Sequence, residues 1–311
     1  MTSSCTEVDS TFAAMLRQEK DYVGQDYLSE PDQNDPPESV SAINGPLHEE
    51  ASSATSTLEQ DRAKMVEWQY QVADFCRFDR ETVAIATNYF DRFLATSSAA
   101  EAHTNTDLFQ LAVMACFYTA AKIHEPESFE PWMLSKMSRG LYLPSEVETM
   151  ERVILQAIEW RMNPPTALSF IKEFMEMLPA CYLSDDVRPT VMNLAKFQVE
   201  LSVRIYQFVP VKASTIALAA LLNAFESIGM DDDTLSLIKT CIFEETGIKL
   251  VVDKDVQHRL YQTITALAAT HTEISTSTTH VLARQIVCES RRGSAYNISP
   301  AGVSEIYTIA T

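Results

Sequence analysis

Glycine is scarce, with 7 residues in 311. A β-rich chain of this length needs turn residues at short intervals, so the shortage favours helices. No Cys-x-x-Cys pair occurs. The six cysteines (Cys5, Cys76, Cys116, Cys181, Cys241, Cys288) are scattered, which reads as reduced thiols of an intracellular protein and not as a disulfide framework. The six histidines (His48, His103, His124, His258, His271, His280) show no ligand spacing. There is no HExxH and no Gly-rich phosphate loop. No catalytic residue, metal site or cofactor is therefore expected. Positive charge is also short: 24 Lys and Arg stand against 43 Asp and Glu, a net −19. That argues against a nucleic-acid-binding surface as the main task. Apolar runs stop short of the ~20 residues of a membrane span. The opening MTSSCTEVDS has neither a basic nor an apolar leader region. No targeting signal is read, and a nuclear and/or cytoplasmic, intracellular location is expected.

What is present is apolar: 46% of the chain is hydrophobic, enough for a sizeable core. The acidity is uneven. Residues 1–60 hold 12 acids and 2 bases, more than half of the net charge. Ser29 to Ser56 are rich in Pro, Glu, Asp and Ser, and such a segment buries too little to offset its ordering entropy. Residues 1–58 are expected to form a mostly disordered acidic region. It holds one short helix near 11–20, where Phe12, Met15 and Leu16 follow Ser10, a candidate cap. The Ser/Thr-rich tail, 276–311, is expected to be loose. It holds two low-specificity phosphosite candidates, Ser294 and Ser299.

LAVMACFYTAA (111–121) and ASTIALAALLNAF (213–225) carry no charge and are apolar on every face. Helices of that kind, too short to span a membrane, belong at the centre of a bundle. Around the first, helices are expected over ~61–76, ~80–95, ~107–122, ~131–138 and from Ser145 to Trp160. The first of these carries Met65, Trp68, Val72 and Phe75 on one face. Asp79 caps the second, and Ser145 with Glu148 forms a capping box on the fifth. RMNPPTA breaks the pattern. A second set follows over ~166–178, ~187–206, ~211–227, ~231–242 and ~254–270. Two five-helix units in a row, each around a dry helix, suggest an internal duplication: all-α, with folds over 59–163 and 164–275.

Three charged residues sit oddly. On the fifth helix, at ~100° per residue, Met150, Ile154, Val147, Ile158 and Leu155 span an apolar arc of roughly 140°, and Glu151 falls inside it, between Ile158 and Leu155. A carboxylate there is either paired internally or waiting for a partner. Lys122 ends the first dry helix, where the helix dipole alone would account for a base. In ATNYFDRFLAT (86–96), Arg92 joins Glu81 and Asn88 on a polar stripe and reads as solvated. Asp91 lies on the shoulder of the core between Thr87 and Ala84, where periodicity leaves its burial open.

DRAKMVEWQYQVADFCRFDRETVAIATNYFDRFLATSS (61–98) resembles the cyclin box closely, in look nearest to D-type-like cyclins. WRMNPPTALSFI is similar to the junction into a second cyclin fold. FAAMLRQEKDYVGQDYL is similar to the segment preceding the box. The resemblance covers roughly 59–275 and implies two consecutive cyclin folds. It implies that Arg62 pairs with Asp91 as a structural salt bridge, and that Lys122 and Glu151 contact a cyclin-dependent kinase. The implied function is a regulatory subunit that binds and activates such a kinase to control the cell cycle, without enzymatic activity, nucleic acid or membrane. Protein substrates or inhibitors are implied as further partners. The candidate patch for docking Arg-x-Leu substrates is Met65, Trp68, Phe109 and Gln110. Asp61 and Lys64 stand there in place of usual apolar residues, and Gln71 in place of an acid. Cys5 and Glu7 match part of the Leu-x-Cys-x-Glu motif, but position 3 is Ser.

The alternative is a cyclin-fold transcription factor or a transcription-associated cyclin. A DNA-binding factor would need a basic surface, and both folds are acidic. DDDTL (231–235) lacks the spacing of an isoprenoid-synthase metal motif and suits a helix start, where the dipole favours acids.

Overall fold

The computed structural model describes residues 5–28, 47–127, 130–179, 182–246 and 253–271. The acidic stretch 29–46 and the tail with Ser294 and Ser299 lie outside the described residues, as do the side chains of Cys5 and Glu7. Eleven α-helices are present among the described residues, and no strand. They are α1 Cys5–Gln18, α2 Leu47–Cys76, α3 Glu81–Leu94, α4 Thr106–His124, α5 Pro131–Met137 and α6 Pro144–Ala157. The chain continues with α7 Ala167–Met177, α8 Arg188–Arg204, α9 Ala213–Ser227, α10 Asp232–Thr246 and α11 Lys254–His271.

The dry helices hold the centres. Every residue of α4 from Phe109 to Ala121 is buried, and α4 packs against α2, α3, α5 and α6. Asn105 starts it by accepting from the amides of Asp107 and Leu108 at 3.0 and 3.2 Å, which satisfies two of the helix's unpaired donors. Helix α9 plays the same part among α7, α8 and α11. Its one buried amide, Asn223, donates to Gln198 Oε1 and the Gln257 carbonyl at 3.0 and 3.1 Å. With several Phe and Leu side chains fully buried in each cluster, at roughly 1.5–3 kcal/mol each, these cores are what makes the helices stable.

Helix starts differ from the sequence reading in places. The cap position of α3 is Arg80, not Asp79, although the Asp79 carboxylate one residue earlier still accepts from the Glu81 amide at 2.9 Å. Helix α6 begins before Ser145, because Pro144 fits the first helical position. Glu146, not Glu148, reaches back to the Leu143 amide at 2.7 Å. Leu143 has no side-chain acceptor, so only that half of a capping box forms. Ser10 lies inside α1, which begins at Cys5. Helix α2 begins at Leu47, inside the segment expected to be mostly disordered: it is an N-terminal extension of the apolar-faced helix over 61–76. Phe75 is 63% exposed while Met65, Trp68 and Val72 are buried, because the last turn of α2 gives Ala73 and Cys76 to the core instead.

The N-terminal segment ties the two folds together. Phe12 of α1 inserts against Phe170 and Phe174 of α7, ring centroids 5.8 and 5.3 Å away. Glu19, buried, caps α9 by accepting from the Ser214 amide and hydroxyl at 3.1 and 2.9 Å. The Asn88 amide donates to the Tyr22 carbonyl at 2.7 Å, and Arg92 stacks on the Tyr22 ring at 4.7 Å. Arg92 also donates to the carbonyls of Ile158 and Arg161. The stripe Glu81, Asn88, Arg92 is therefore not solvated. Helical periodicity separates polar from apolar faces but does not reveal that a polar face is covered by polar partners.

Glu81 is the clearest inter-fold clasp. It accepts from Ser169 at 2.7 Å and Lys172 at 2.9 Å, and from the Thr166 hydroxyl. Burial alone would raise its pKa, but these hydrogen bonds and the Lys172 charge hold it below the usual carboxylate range. A depressed folded-state pKa adds stability above the unfolded value of about 4.3, and that stability is lost as pH falls through the folded value. Glu81→Gln should therefore lower the urea midpoint at neutral pH and flatten the decline in stability on acidification below about pH 4.5. Identical pH profiles for the two proteins would remove Glu81 from the clasp.

Candidate functional site

Arg62 and Asp91 meet in the interior. Arg62 Nε and one terminal nitrogen donate to the two carboxylate oxygens of Asp91, both at 2.7 Å. The two residues are 3% and 6% exposed. The fork geometry satisfies both partners at once, which is what a buried pair requires. The remaining guanidinium nitrogen donates to the Val203 carbonyl of α8 at 2.9 Å. Tyr27 adds its hydroxyl to Asp91 at 2.9 Å. One ion pair thus joins α2, α3, the second fold and the N-terminal segment. Burial would lower the Arg62 pKa, but the adjacent Asp91 carboxylate raises it above its ordinary value. Burial and then the Asp91 charge raise the Tyr27 pKa well above normal, so the phenol remains a donor at neutral pH.

Lys122 and Glu151 meet at the edge of the first fold. Lys122 Nζ lies 2.6 Å from Glu151 Oε1, bringing the end of α4 to the middle of α6. Glu151 is 8% exposed and lies 3.1 Å from the Thr119 hydroxyl, whose one proton it shares with the closer Ala115 carbonyl at 2.8 Å. The Lys122 side chain is 44% exposed, with its ammonium 5.0 Å from the centre of the Tyr118 ring. The carboxylate in the apolar arc of α6 is thus paired within the chain, as one of the two sequence readings expected. Yet the pair opens to the surface through Lys122, and the next residue of α4, Ile123, is 45% exposed. A half-wet ion pair next to a bare aliphatic side chain has the mixed character of a protein-contact surface.

The docking-patch residues do not form an open floor. Met65, Trp68, Phe109 and Gln110 are all buried, Met65 and Gln110 completely. Phe109 stacks edge-on against Phe90 at 4.9 Å, and Gln110 accepts from the Tyr142 hydroxyl at 3.2 Å. The spacing that would present them on α2 and α4 also suits core packing, and core packing prevails. Lys64 bonds the largely buried Asp61 at 3.0 Å, so the rim carries an ion pair where an apolar rim was needed. A consensus Arg-x-Leu peptide should show no saturable binding in a fluorescence titration. Micromolar binding by the natural chain would contradict this placement.

Sequence reasoning missed Tyr27, Thr119 and the Val203 carbonyl. Thr119 was visible as the hydroxyl one turn before Lys122 in a dry run. Tyr27 and Val203 had no local signal, because their partners lie 64 and 141 residues away. No group of three His, Cys, Asp or Glu able to hold a metal occurs among the described residues. None of the described helices is long and apolar enough to cross a membrane.

Two helical units of this architecture, each around a dry helix, with the single Arg62–Asp91 pair reaching from the first to the second, define a double cyclin fold. The family model for the cyclin N-terminal domain matches residues 41–163, and that for the cyclin C-terminal domain matches 165–292. The chain belongs to the cyclin family. It is 28% identical over 116 residues to G1/S-specific cyclin-E1 of Gallus gallus, covering 37% of this chain and 28% of that protein. It is 28% identical over 173 residues to cyclin-A1-3 of Oryza sativa subsp. japonica, covering 54% and 34%. With cyclin-D3-3 of Arabidopsis thaliana it shares 31% over 115 residues, covering 35% and 30%. A-, D- and E-type cyclins match at similar identities, so the D-type look is not singled out. The matched stretches span only 28% to 34% of these three curated relatives' lengths. A viral cyclin from herpesvirus saimiri shares the fold, with a TM-score of 0.53 at 15% identity, over 67% of this chain and 85% of that one.

Proposed function

We propose that the chain is a regulatory subunit that binds a cyclin-dependent Ser/Thr kinase and activates it allosterically to control the cell cycle. The observation that carries this is the Lys122–Glu151 pair, which opens to the surface through Lys122, one residue before exposed Ile123, where α4 and α6 meet. Family membership supports the same reading, since cyclins act as regulatory subunits of kinases. The cyclin-box resemblance assigns kinase contact to these two positions.

The mechanism is differential binding. A kinase is active only when its own Lys–Glu ion pair and its metal-binding Asp are in place. A partner that binds that state more tightly shifts the kinase population toward it. The chain needs no catalytic group for this. Rigidity helps: α4 is buried along thirteen successive residues, so the surface it shares with α6 is presented without a large ordering cost. The acidic charge of the whole chain disfavours the DNA-binding alternative. We place the protein in the nucleus and/or cytoplasm, with substrates or inhibitors of the kinase complex as further protein partners. The test is kinase activity with and without the purified chain, and absence of any rise would reject the reading.

A further inference from the structure

Nine large apolar side chains stay exposed among the described residues, and three of them, Trp132, Leu141 and Leu143, lie close together in sequence. They are 49%, 49% and 59% exposed. A single exposed apolar residue is ordinary, whereas a group of them marks a contact surface. Local structure brings the group together. Trp132 and Lys136 stand one turn apart on α5, with the Lys136 ammonium 4.5 Å from the centre of the Trp132 ring. The helix is followed by two left-handed residues, Arg139 at φ 55° and Gly140 at φ 81°. There the Gly140 amide returns to the Ser135 carbonyl at 2.7 Å and the Leu141 amide to the Ser138 carbonyl at 3.0 Å. The turn therefore folds against the end of α5 that carries Lys136. Tyr142 points inward, its hydroxyl donating to the Asp107 carbonyl at 2.8 Å, and its two neighbours, Leu141 and Leu143, face out. The loop is held from beneath, so its apolar side chains are displayed at little ordering cost.

The charge of this surface runs against that of the chain. Residues 131–145 carry two bases and no acid, in a protein of net charge −19. Lys136 makes no ion pair among the described residues and instead lies over Trp132. The flanking acids are Glu130, ahead of the first turn of α5, and Glu146, which is engaged by the Leu143 amide at 2.7 Å. The Tyr142 bond also fixes the position of the loop. It fastens the loop to Asp107 at the start of α4, whereas Lys122 stands at the other end of that helix. Fifteen residues of helix separate the two, roughly 22 Å at about 1.5 Å per residue. The surface thus runs from α5 away from the Lys122–Glu151 pair.

We infer that Trp132, Lys136, Leu141 and Leu143 form a docking surface for an apolar, acidic segment of another protein, a substrate or inhibitor of the kinase complex. Apolar side chains of the segment cover Trp132, Leu141 and Leu143, and a carboxylate meets Lys136. Tryptophan is among the residues that most often anchor protein contacts, and covering it removes water from the Lys136 ammonium, which strengthens the pairing with an acid. A basic segment is disfavoured by the same lysine. The class of partner rests on the kinase reading, but the surface and its preference for acids do not.

The test uses the full chain with its 3 tryptophan indoles labelled for NMR and no kinase present, so its failure leaves the kinase reading standing. Trp132→Phe identifies the Trp132 signal. The probes are the blocked peptide Leu-Glu-Leu-Glu-Leu and its forms with Gln or Lys in place of Glu. The Glu peptide should shift the Trp132 signal saturably. The Gln form should bind about threefold more weakly, the worth of one exposed ion pair, and the Lys form more weakly still. Lys136→Gln should erase the difference between the Glu and Gln forms, and Leu141→Ser should weaken both. These side chains are exposed, so the fold tolerates the changes. No saturable shift of the Trp132 signal by the Glu peptide would overturn the inference. Equal binding of the Glu and Lys forms by the natural chain would also overturn it, and that comparison does not depend on any variant.

Discussion

Arg62→Ala is expected to destabilise the protein by about 3–5 kcal/mol, the usual cost of stranding one partner of a buried ion pair. Three consequences add in the same direction. Asp91 keeps the Tyr27 hydroxyl at 2.9 Å but loses both guanidinium bonds, the Val203 carbonyl loses its donor, and a space opens between α2 and α3. Against a typical stability of about 5–15 kcal/mol this is a large share. Because the guanidinium also grips the second fold through Val203, both folds should lose resistance to urea together. The double variant Arg62→Ala with Asp91→Asn should recover part of the loss, since no uncompensated charge remains. Urea unfolding followed by circular dichroism measures both. An unchanged midpoint in Arg62→Ala would contradict the buried pair, and a double variant no better than the single one would show that packing, not charge, dominates there.

Glu151→Ala is expected to weaken kinase binding about thirtyfold or more, because truncating one charge at a desolvated interface typically costs about 2–5 kcal/mol. Its effect on folding should be small. Lys122 is half exposed and can be hydrated, and Thr119 keeps its bond to the Ala115 carbonyl, so no buried charge is stranded. Lys122→Ala is the less clean probe. It leaves the mostly buried Glu151 carboxylate with Thr119 alone, so some stability loss is expected beside the binding loss. Surface plasmon resonance on immobilised kinase, paired with melting curves, separates the two effects. Binding loss that only tracks loss of fold in Glu151→Ala would mark the pair as internal structure.

Much of this was legible because the dry runs are physically unambiguous. LAVMACFYTAA and ASTIALAALLNAF could be placed nowhere but at the centres of two bundles, and α4 and α9 stand there. The neighbouring helices follow from their one-sided apolar faces. Glu151 was conspicuous because its angle on α6 put a carboxylate between Ile158 and Leu155, inside the apolar arc. What periodicity could not supply was the identity of what covers a polar face. Glu81, Asn88 and Arg92 read as a solvated stripe, yet they meet Lys172, the Tyr22 carbonyl and the carbonyls just past the C-terminal end of α6. Met65, Trp68, Phe109 and Gln110 show the reverse. Their spacing suited a surface patch by family resemblance, but the same spacing faces α2 and α4 inward. The Tyr27–Asp91 bond joins residues 64 positions apart, and no local pattern encodes a contact of that kind.

The most direct measurement is the phosphorylation rate of a panel of purified cyclin-dependent kinases, each titrated with the natural chain and with Glu151→Ala. The natural chain should raise the rate of at least one kinase severalfold or more in a saturable manner, and Glu151→Ala should need a far higher concentration for the same rise. The chain alone should transfer no phosphate. A folded chain that leaves every kinase of the panel at its basal rate, or that phosphorylates substrate with no kinase present, would contradict the assignment.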